Sequence, residues 1–172
     1  VGHKRLIGEV ISVGSGETTI QVYEGTTGMR PGEPVEGTGG PMCAALGPGI
    51  LSNIFDGIER PLREIAAANG AFIPAGGDLP ALDMQKKWDV AMRVREGDRL
   101  TGGQIFAVCP ETSIIEHRAM VPPGLSGTAV DVRPDGAYTA GEALLTLQDD
   151  EGQAHPLSLT QFWPIREPRP VA

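Results

Sequence analysis

Apolar and β-branched residues along the chain occur in short runs that alternate with polar residues, and glycine or proline separates one run from the next. An alternation with a period of two predicts half-buried β-strands rather than amphipathic helices. The runs cover residues 6–13, 18–23, 88–94, 104–109, 114–121, 127–132 and 143–147. The pattern therefore predicts a mostly β protein.

The segments between the runs carry turn residues. Residues 14–17, Gly-Ser-Gly-Glu, separate the first two runs and predict a hairpin. Single apolar residues alternate with glycine and proline through residues 26–35 and 41–53, which is typical of the corners of a barrel. Further turns are predicted at residues 96–98, 110–113, 134–136 and 149–152.

One segment favours a helix. It begins at Pro61, since proline is tolerated in the first turn, and continues through residues 62–68. Asn69 and Gly70 follow and are typical of a left-handed cap at the helix end. The sequence predicts one short helix near residues 61–69.

Charge and composition exclude several classes of protein. The chain has 172 residues and a net charge of −8, with no basic stripe that could follow a phosphate backbone, so nucleic acid is not an expected partner. Hydrophobic residues make up 40%, which excludes disorder of the whole chain. Because no apolar run approaches the length of a bilayer span, we expect a cytoplasmic protein without membrane insertion.

No motif for nucleotide or metal binding stands out. A phosphate-binding loop needs GxxxxGK followed by Ser or Thr, and none of the three lysines follows a glycine. The glycine cluster at residues 37–40 favours turn packing. The three histidines lie in separate contexts without ligand spacing, so we expect no metal site. They are His3, His117 and His155.

The candidate nucleophiles and acids do not form a catalytic pattern either. Ser15 and Ser126 do not lie in a GxSxG nucleophile elbow, and the pair Asp149 and Asp150 is expected to be solvated in a turn. The two cysteines are Cys43 and Cys109, and without a CxxC spacing they are predicted to be buried and reduced. We therefore predict no catalytic, cofactor-binding or metal-binding residue in this chain.

The run of strands from residue 88 to residue 132 is similar to the barrel-sandwich fold of biotinyl and lipoyl carrier domains. Those carriers present a lysine at a hairpin tip. The corresponding tip here, residues 110–113, reads Pro-Glu-Thr-Ser and contains no lysine. The carrier function is therefore excluded even if the fold is retained.

Eight stretches of the sequence resemble one family in its own order and cover nearly the whole chain. They include IFDGIERPL, HRAMVPPG and WPIREPRP, and their positions are residues 6–11, 21–24, 28–35, 46–49, 54–62, 111–112, 117–124 and 163–170. On these stretches the chain resembles the N-terminal portion of the catalytic A (alpha) subunit of V-type and A-type rotary ATPases and ATP synthases.

The resemblance implies four regions. Residues 1–53 would form most of an N-terminal β-barrel, without its first strand or strands; residues 54–69 would be a joint with a short helix. Residues 70–160 would be the bulge, or non-homologous region. We expect this region to fold as a compact unit around the apolar residues Phe72, Trp88, Val90, Ile105, Val108, Ile115 and Met120. Residues 161–172 would lead toward a nucleotide-binding domain that lies beyond the chain, so a fragment is expected.

The resemblance also implies a role. The barrel would contact B subunits of the A/B hexamer, and the bulge would contact the peripheral stalk. The parent subunit would make or hydrolyse ATP, with Mg, coupled to proton or sodium transport in the peripheral sector of a membrane-bound complex. This chain would supply assembly contacts without activity or cofactor of its own. The alternative is a stand-alone scaffold or binding module of barrel-sandwich type without enzymatic activity.

Overall fold

The strands of the chain are short and antiparallel. The computed structural model describes residues 1–51, 53–77 and 79–170, so Ser52, Asp78 and the last two residues of the predicted linker lie outside the described residues. The elements are β1 (Gly8–Val13), β2 (Thr18–Val22), β3 (Cys43–Leu46), α1 (Leu62–Asn69), β4 (Lys87–Met92), β5 (Arg99–Thr101), β6 (Ile105–Pro110), β7 (Glu116–Met120), β8 (Ser126–Val130), β9 (Gly136–Thr139), β10 (Leu145–Gln148), β11 (Ala154–Leu157) and β12 (Gln161–Pro164).

Two four-stranded sheets contain most of the strands. One has the order β7-β6-β4-β9 and the other the order β11-β10-β8-β5, while β1 pairs with β2 and β3 pairs with β12. The described residues contain a single α-helix. The predicted fold class, mostly β with one short helix, is confirmed.

The chain divides into two compact units. The first consists of Val1–Ala44, Ile54–Ala81 and Pro164–Arg166, and the second of Ala45–Asn53, Leu82–Trp163 and Glu167–Ala172. The second unit thus includes a segment that precedes the helix in the sequence. The boundaries of the four regions that the resemblance implied, at residues 53, 69 and 160, stay a prediction.

The second unit has a continuous apolar core. Strands of both four-stranded sheets contribute alternate side chains to it, as expected for sheets with one buried face each. Its fully buried members include Leu100, Phe106, Leu144, Leu145, Leu147 and Leu159. Burial of these side chains stabilises the unit, because about 25 cal/mol is gained for each Å² of apolar surface removed from water.

The first unit relies on polar ties. Strands β1 and β2 form a hairpin whose register runs from Gly8 opposite Val22 to Val13 opposite Thr18, as predicted for this pair. In this unit, the described residues with buried apolar side chains are Leu6, Pro61 and Ile65. Ion pairs and hydrogen bonds, described below with the site, connect the remaining segments.

Helix α1 confirms its prediction closely. Pro61 caps its start with φ of −74°, and Gly70 ends it with φ of +72°, where its N–H donates to Ala66 O at 2.8 Å. A residue with a side chain would be strained at this positive φ, so glycine suits the position. In the described parts of the chain, no helix is long and apolar enough to cross a bilayer.

The expected core of residues 70–160 is partly wrong. Trp88, Val90 and Val108 are buried as predicted, but Phe72 is 83% exposed. It follows the turn at Gly70, where the chain leaves the helix in an irregular segment without a strand to cover it. Ile115 is 43% exposed because it lies in a hairpin turn, while Ile105 and Met120 at the strand ends are half-buried.

Candidate functional site

The hairpin formed by β6 and β7 ends in a tight turn that backbone hydrogen bonds hold. Glu111 N donates to Ile115 O at 2.9 Å and Thr112 N donates to the same oxygen at 3.1 Å. The Thr112 hydroxyl oxygen accepts hydrogen bonds from Ile114 N at 3.3 Å and Ile115 N at 3.0 Å. A threonine at this position therefore fixes the turn through its side chain.

Glu111 fastens the same turn to a distant segment of the second unit. One of its carboxylate oxygens, Oε1, accepts the backbone N–H groups of Gly49 and Leu51, both at 2.9 Å. Its side chain is only 4% exposed. A carboxylate with two backbone donors is a strong, charge-assisted anchor. The turn is thus held by a contact that spans about 60 positions in the sequence.

Gly47 packs closely against two side chains near this anchor. A Cβ there would lie 2.7 Å from Leu82 Cδ1 and 3.1 Å from Thr160 Oγ1. Both neighbours are side-chain atoms, so a larger residue at position 47 would have to move the Leu82 side chain. Glycine leaves room for the packing seen here.

His117 lies beside the anchor. Its Nδ1 is 3.9 Å from Glu111 Oε2, and its Nε2 is 3.3 Å from Leu159 O. Because a carbonyl oxygen only accepts, the Nε2 nitrogen carries the proton in this contact. Burial lowers the pKa of the His117 imidazole, against the opposing effect of the Glu111 carboxylate. The ring is held as a packing residue.

The tip beyond this anchor is apolar and exposed. Ile114 is 89% exposed, and its neighbour Ile115 is also exposed. The outer face of the same sheet forms the floor of a shallow cavity of about 310 Å³ that both side chains border. A large aliphatic side chain held in water by a fixed turn is a feature of interaction sites.

Charged residues rim this cavity. Glu116 lies between two guanidinium groups, 3.8 Å from Arg93 Nη2 and 3.6 Å from Arg118 Nε, and all three side chains are about half exposed. Asp89 is exposed on β4. Exposed ion pairs of this kind contribute little to stability. Their positions matter for recognition more than for the fold.

The three histidines lie apart, as the sequence predicted. His3 donates from its backbone N to Glu33, His117 lies beside Glu111, and His155 Nε2 is 2.8 Å from Asp149 Oδ2. The described residues contain no group of three or more His, Cys, Asp or Glu side chains that could hold a metal ion.

The two cysteines are both free thiols. Cys109 is buried in β6, where burial, and then the charges of Glu111 and Glu116, raise the pKa of its thiol to about 11. The thiol is therefore protonated and unreactive at neutral pH. Cys43 is half-buried rather than buried as expected, because its strand β3 is short and its Sγ donates to Pro41 O at 3.4 Å.

The acidic pair of the second unit has structural partners. Asp150 binds Arg99 through both carboxylate oxygens, at 2.6 and 2.7 Å. The hydrogen bond from His155 lowers the pKa of the Asp149 carboxyl, which also accepts backbone N–H groups of its own turn. Both aspartates therefore stabilise the turn at residues 149–152 that the sequence predicted.

The remaining candidates lie in turns and loops. Residues 37–40 form an exposed loop in which the Thr38 hydroxyl donates to Gly40 O at 3.2 Å. Ser15 lies in the exposed turn between β1 and β2, and Ser126 begins β8. None of these positions is close in sequence or sheet order to the hairpin tip.

An ionic network organises the first unit. The Arg60 guanidinium binds Glu24 Oε1 at 2.5 Å and Asp56 Oδ2 at 2.7 Å, and it donates to Pro74 O at 3.1 Å. Glu24 also accepts from Gly76 N at 2.8 Å. The side chains of Arg60 and Glu24 are 17% and 5% exposed. This network ties three separate segments of the unit together, at residues 24, 56–60 and 74–76.

A second cluster of side chains lies within the first unit and holds the segment that contains Arg166. Arg166 donates to both carboxylate oxygens of Glu9, at 2.7 and 2.6 Å, and the Tyr23 hydroxyl donates to Glu9 at 2.5 Å. These hydrogen bonds, that of Arg166 foremost, lower the pKa of Glu9 to about 2. The cluster is a structural latch rather than a reactive centre.

The arrangement at the tip is suited to a binding contact. The sequence predicts a turn at residues 110–113 and includes residues 111–112 among the stretches that resemble the family, but it predicts neither the anchor at Glu111 nor the exposed side chain of Ile114. Gly47, Gly49 and Glu111 are visible in the sequence, but the contact between residues 49 and 111 spans about 60 positions and cannot be predicted without the fold.

Comparisons with known proteins identify one family for this chain. Residues 79–166 match the family described as the ATPsynthase alpha/beta subunit barrel-sandwich domain, and residues 1–39 match the ATP synthase alpha/beta family beta-barrel domain. The first match covers about half of the chain. The order of the two domains is the order that the sequence resemblance implied.

Named relatives agree. The chain is 52% identical over 170 residues to the V-type ATP synthase alpha chain of Halothermothrix orenii and 48% identical to the corresponding A chain of the A-type ATP synthase of Methanopyrus kandleri. Each alignment covers 99% of this chain and 29% of the relative. The chain therefore belongs to the ATP synthase alpha/beta family and matches its V-type and A-type alpha, or A, chains.

Proposed function

We propose that this chain is the non-catalytic assembly portion of the catalytic A subunit of an ion-translocating rotary ATPase or ATP synthase. The parent subunit makes or hydrolyses ATP, with ATP and Mg bound in another part of it, and couples this to proton or sodium transport. The similarity to alpha and A chains along 99% of the sequence supports this identity.

The observation that carries the assembly role is the fastened hairpin tip. Glu111 and Thr112 hold the turn in one conformation, yet its Ile114 side chain is left in water. Burying such a side chain in an interface gains about 1.5–3 kcal/mol, and little entropy is lost because the turn is already ordered. The exposure of this side chain does not stabilise the folded chain by itself.

Two partner classes follow from the proposal. Residues 1–53 contact B subunits of the alternating A/B ring, and the bulge contacts the peripheral stalk, in the cytoplasmic peripheral sector of a membrane-bound complex. Exposed apolar residues of the β1–β2 hairpin support the first contact, since Val10, Ile11 and Val13 are each more than half exposed.

Binding to purified partners tests the proposal. Isothermal titration of the full 172-residue chain with the B subunit, and separately with the peripheral-stalk subunits of the same complex, is expected to give saturable binding to each. A parallel titration with Mg-ATP is expected to release no binding heat. Micromolar binding of Mg-ATP, or no binding to either protein, would contradict the assembly role.

A further inference from the structure

The outer face of the sheet that contains β4, β6 and β7 has an ordered set of side chains. Ala91 lies opposite Val108, and Val108 lies opposite Arg118, so these three residues share one face. Because Trp88 and Val90 point into the core, Asp89 and Ala91 point to the other side of β4. The pairing of Pro110 with Glu116 continues this face toward the tip.

Apolar groups form the centre of this face. Ala91 and Val108 line the floor of the shallow cavity, and Ile114 and Ile115 form one wall. Val108 is 5% exposed although it points away from the core. Among the described residues this cavity of about 310 Å³ is open, with room for aliphatic side chains.

Charges lie along both β4 and β7 on this face. On β4, Asp89 and Arg93 lie on either side of Ala91. On β7, Arg118 lies level with Val108 and Ala91, and Glu116 lies nearer the tip, opposite Pro110, with its carboxylate 3.8 Å from Arg93 Nη2 and 3.6 Å from Arg118 Nε. Arg93 N donates to Phe106 O at 2.8 Å, so the strand ladder continues through this residue. Four strand residues span about 13 Å at about 3.3 Å each, which sets the distance between Asp89 and Arg93.

The strand order and the charges of this sheet face together limit the kind of partner that can bind it. Strand β4 lies between β6 and β9 and has no free edge, so a partner binds this part of the sheet by its side chains rather than as an added strand. An amphipathic helix is the usual cover for a sheet face. Eight residues of helix span about 12 Å, close to the separation of the charges.

We propose that this face, defined by Asp89, Ala91, Arg93, Val108, Ile114, Ile115, Glu116 and Arg118, binds an amphipathic helix of a neighbouring subunit. The helix presents aliphatic side chains to the cavity, a basic residue to Asp89, and an acidic residue about eight positions away to Arg93. The Arg93 guanidinium retains donors that its long contact with Glu116 leaves unused. The inference rests on the proposed contact between the bulge and the stalk.

Charge-reversed and tip variants test the surface in the full chain. The variants are Ile114→Asp, Asp89→Lys and Arg93→Glu, titrated against the purified stalk subunits. We expect a loss of affinity of at least about tenfold for Ile114→Asp and about threefold to tenfold for each charge reversal. The matched controls are Glu151→Lys, in the turn at the other sheet, and Val13→Asp, on the exposed β1–β2 hairpin, and both are expected to bind like the wild type.

A photo-crosslinker tests the nature of the occupant. With benzoylphenylalanine at position 114, crosslinks to the stalk are expected at positions three, four or seven apart, as on one helix face. Stalk binding that all three variants retain, or crosslinks at alternate residues of an extended strand, would overturn the inference and leave the proposed function standing. Failure of the wild-type chain to bind the stalk would overturn both this inference and the proposed contact between the bulge and the stalk, whereas the contact with B subunits is tested separately.

Discussion

The two units of this chain are stabilised by different means. The second unit buries a continuous set of leucine, valine and phenylalanine side chains, while the buried apolar side chains described in the first are those of Leu6, Pro61 and Ile65. The first unit depends instead on the network of Arg60 and the latch of Glu9, Tyr23 and Arg166. An apolar core keeps its shape without partners, whereas a polar framework with exposed apolar residues is suited to completion by a neighbour.

Removal of a core side chain of the second unit is expected to have the largest effect. Phe106→Ala, at a position 1% exposed, is expected to lower the free energy of unfolding by about 3–5 kcal/mol, because it leaves a cavity in the sheet interface. Phe162→Ala is the matched control, since that side chain is exposed. Chemical denaturation measures both, and similar losses for the two variants would contradict the core assignment.

The first unit is expected to respond to its ion network. Arg60→Met leaves the buried Glu24 carboxylate without its guanidinium and is expected to cost about 3 kcal/mol. Thermal unfolding and the amide exchange of β1 and β2 measure the change. Arg30→Met is the control on an exposed arginine, with a change within about 0.5 kcal/mol. Equal stability of the two variants would show that the network does not hold the unit.

The Glu111 anchor is expected to have a smaller, local effect. Glu111→Ala leaves Gly49 N–H and Leu51 N–H without their acceptor, which costs about 1–3 kcal/mol. Glu111→Gln retains an oxygen acceptor and is expected to cost less. Faster exchange of the Gly49 and Leu51 amides identifies the effect, and Glu151→Ala is the control. Unchanged exchange of both amides in Glu111→Ala would contradict the anchor.

Local patterns predicted much of this fold. The glycines around the β1–β2 turn, the alternation from Trp88 onward and the Asn69-Gly70 helix end gave correct elements, since such signals act between near neighbours. The patterns did not predict β3, β5, β9, β11 and β12, which are each three or four residues long. In these strands partners from distant parts of the sheet, rather than their own residues, determine the conformation.

The candidate site was less predictable. Glu111 and Ile114 have no local pattern that distinguishes an anchor from an exposed contact, because their roles depend on residues 49 and 51 and on the curve of the turn. Phe72 shows the same limit in reverse, since an aromatic residue after a helix end was assigned to the core and is exposed.

Acid is expected to weaken the first unit through its latch. Hydrogen bonds from Arg166 and Tyr23 lower the pKa of Glu9 from 4.5 to about 2. A carboxyl whose pKa is lower in the folded state stabilises the fold above the unfolded pKa, and this contribution is lost as the pH falls from about 4.5 toward 2. Amide exchange of β1 and β2 is expected to accelerate over this interval.

Glu9→Gln is the control for this pH dependence. It is expected to lower the melting temperature at neutral pH and to remove the part of the pH dependence between pH 4.5 and about 2 that belongs to the latch. Arg166→Gln is expected to weaken the unit in the same direction. A wild-type chain and a Glu9→Gln chain with parallel pH profiles would contradict the role of Glu9.

Hydrogen exchange of the whole chain, alone and with each proposed partner, tests the assembly role most directly. We expect the B subunit to slow exchange in residues 8–22 and the stalk subunits to slow exchange in residues 89–93 and 112–118. Mg-ATP is expected to change the exchange of neither region. Protection of both regions by Mg-ATP without protein partners, or protection by the partners confined to other segments, would contradict the assembly role.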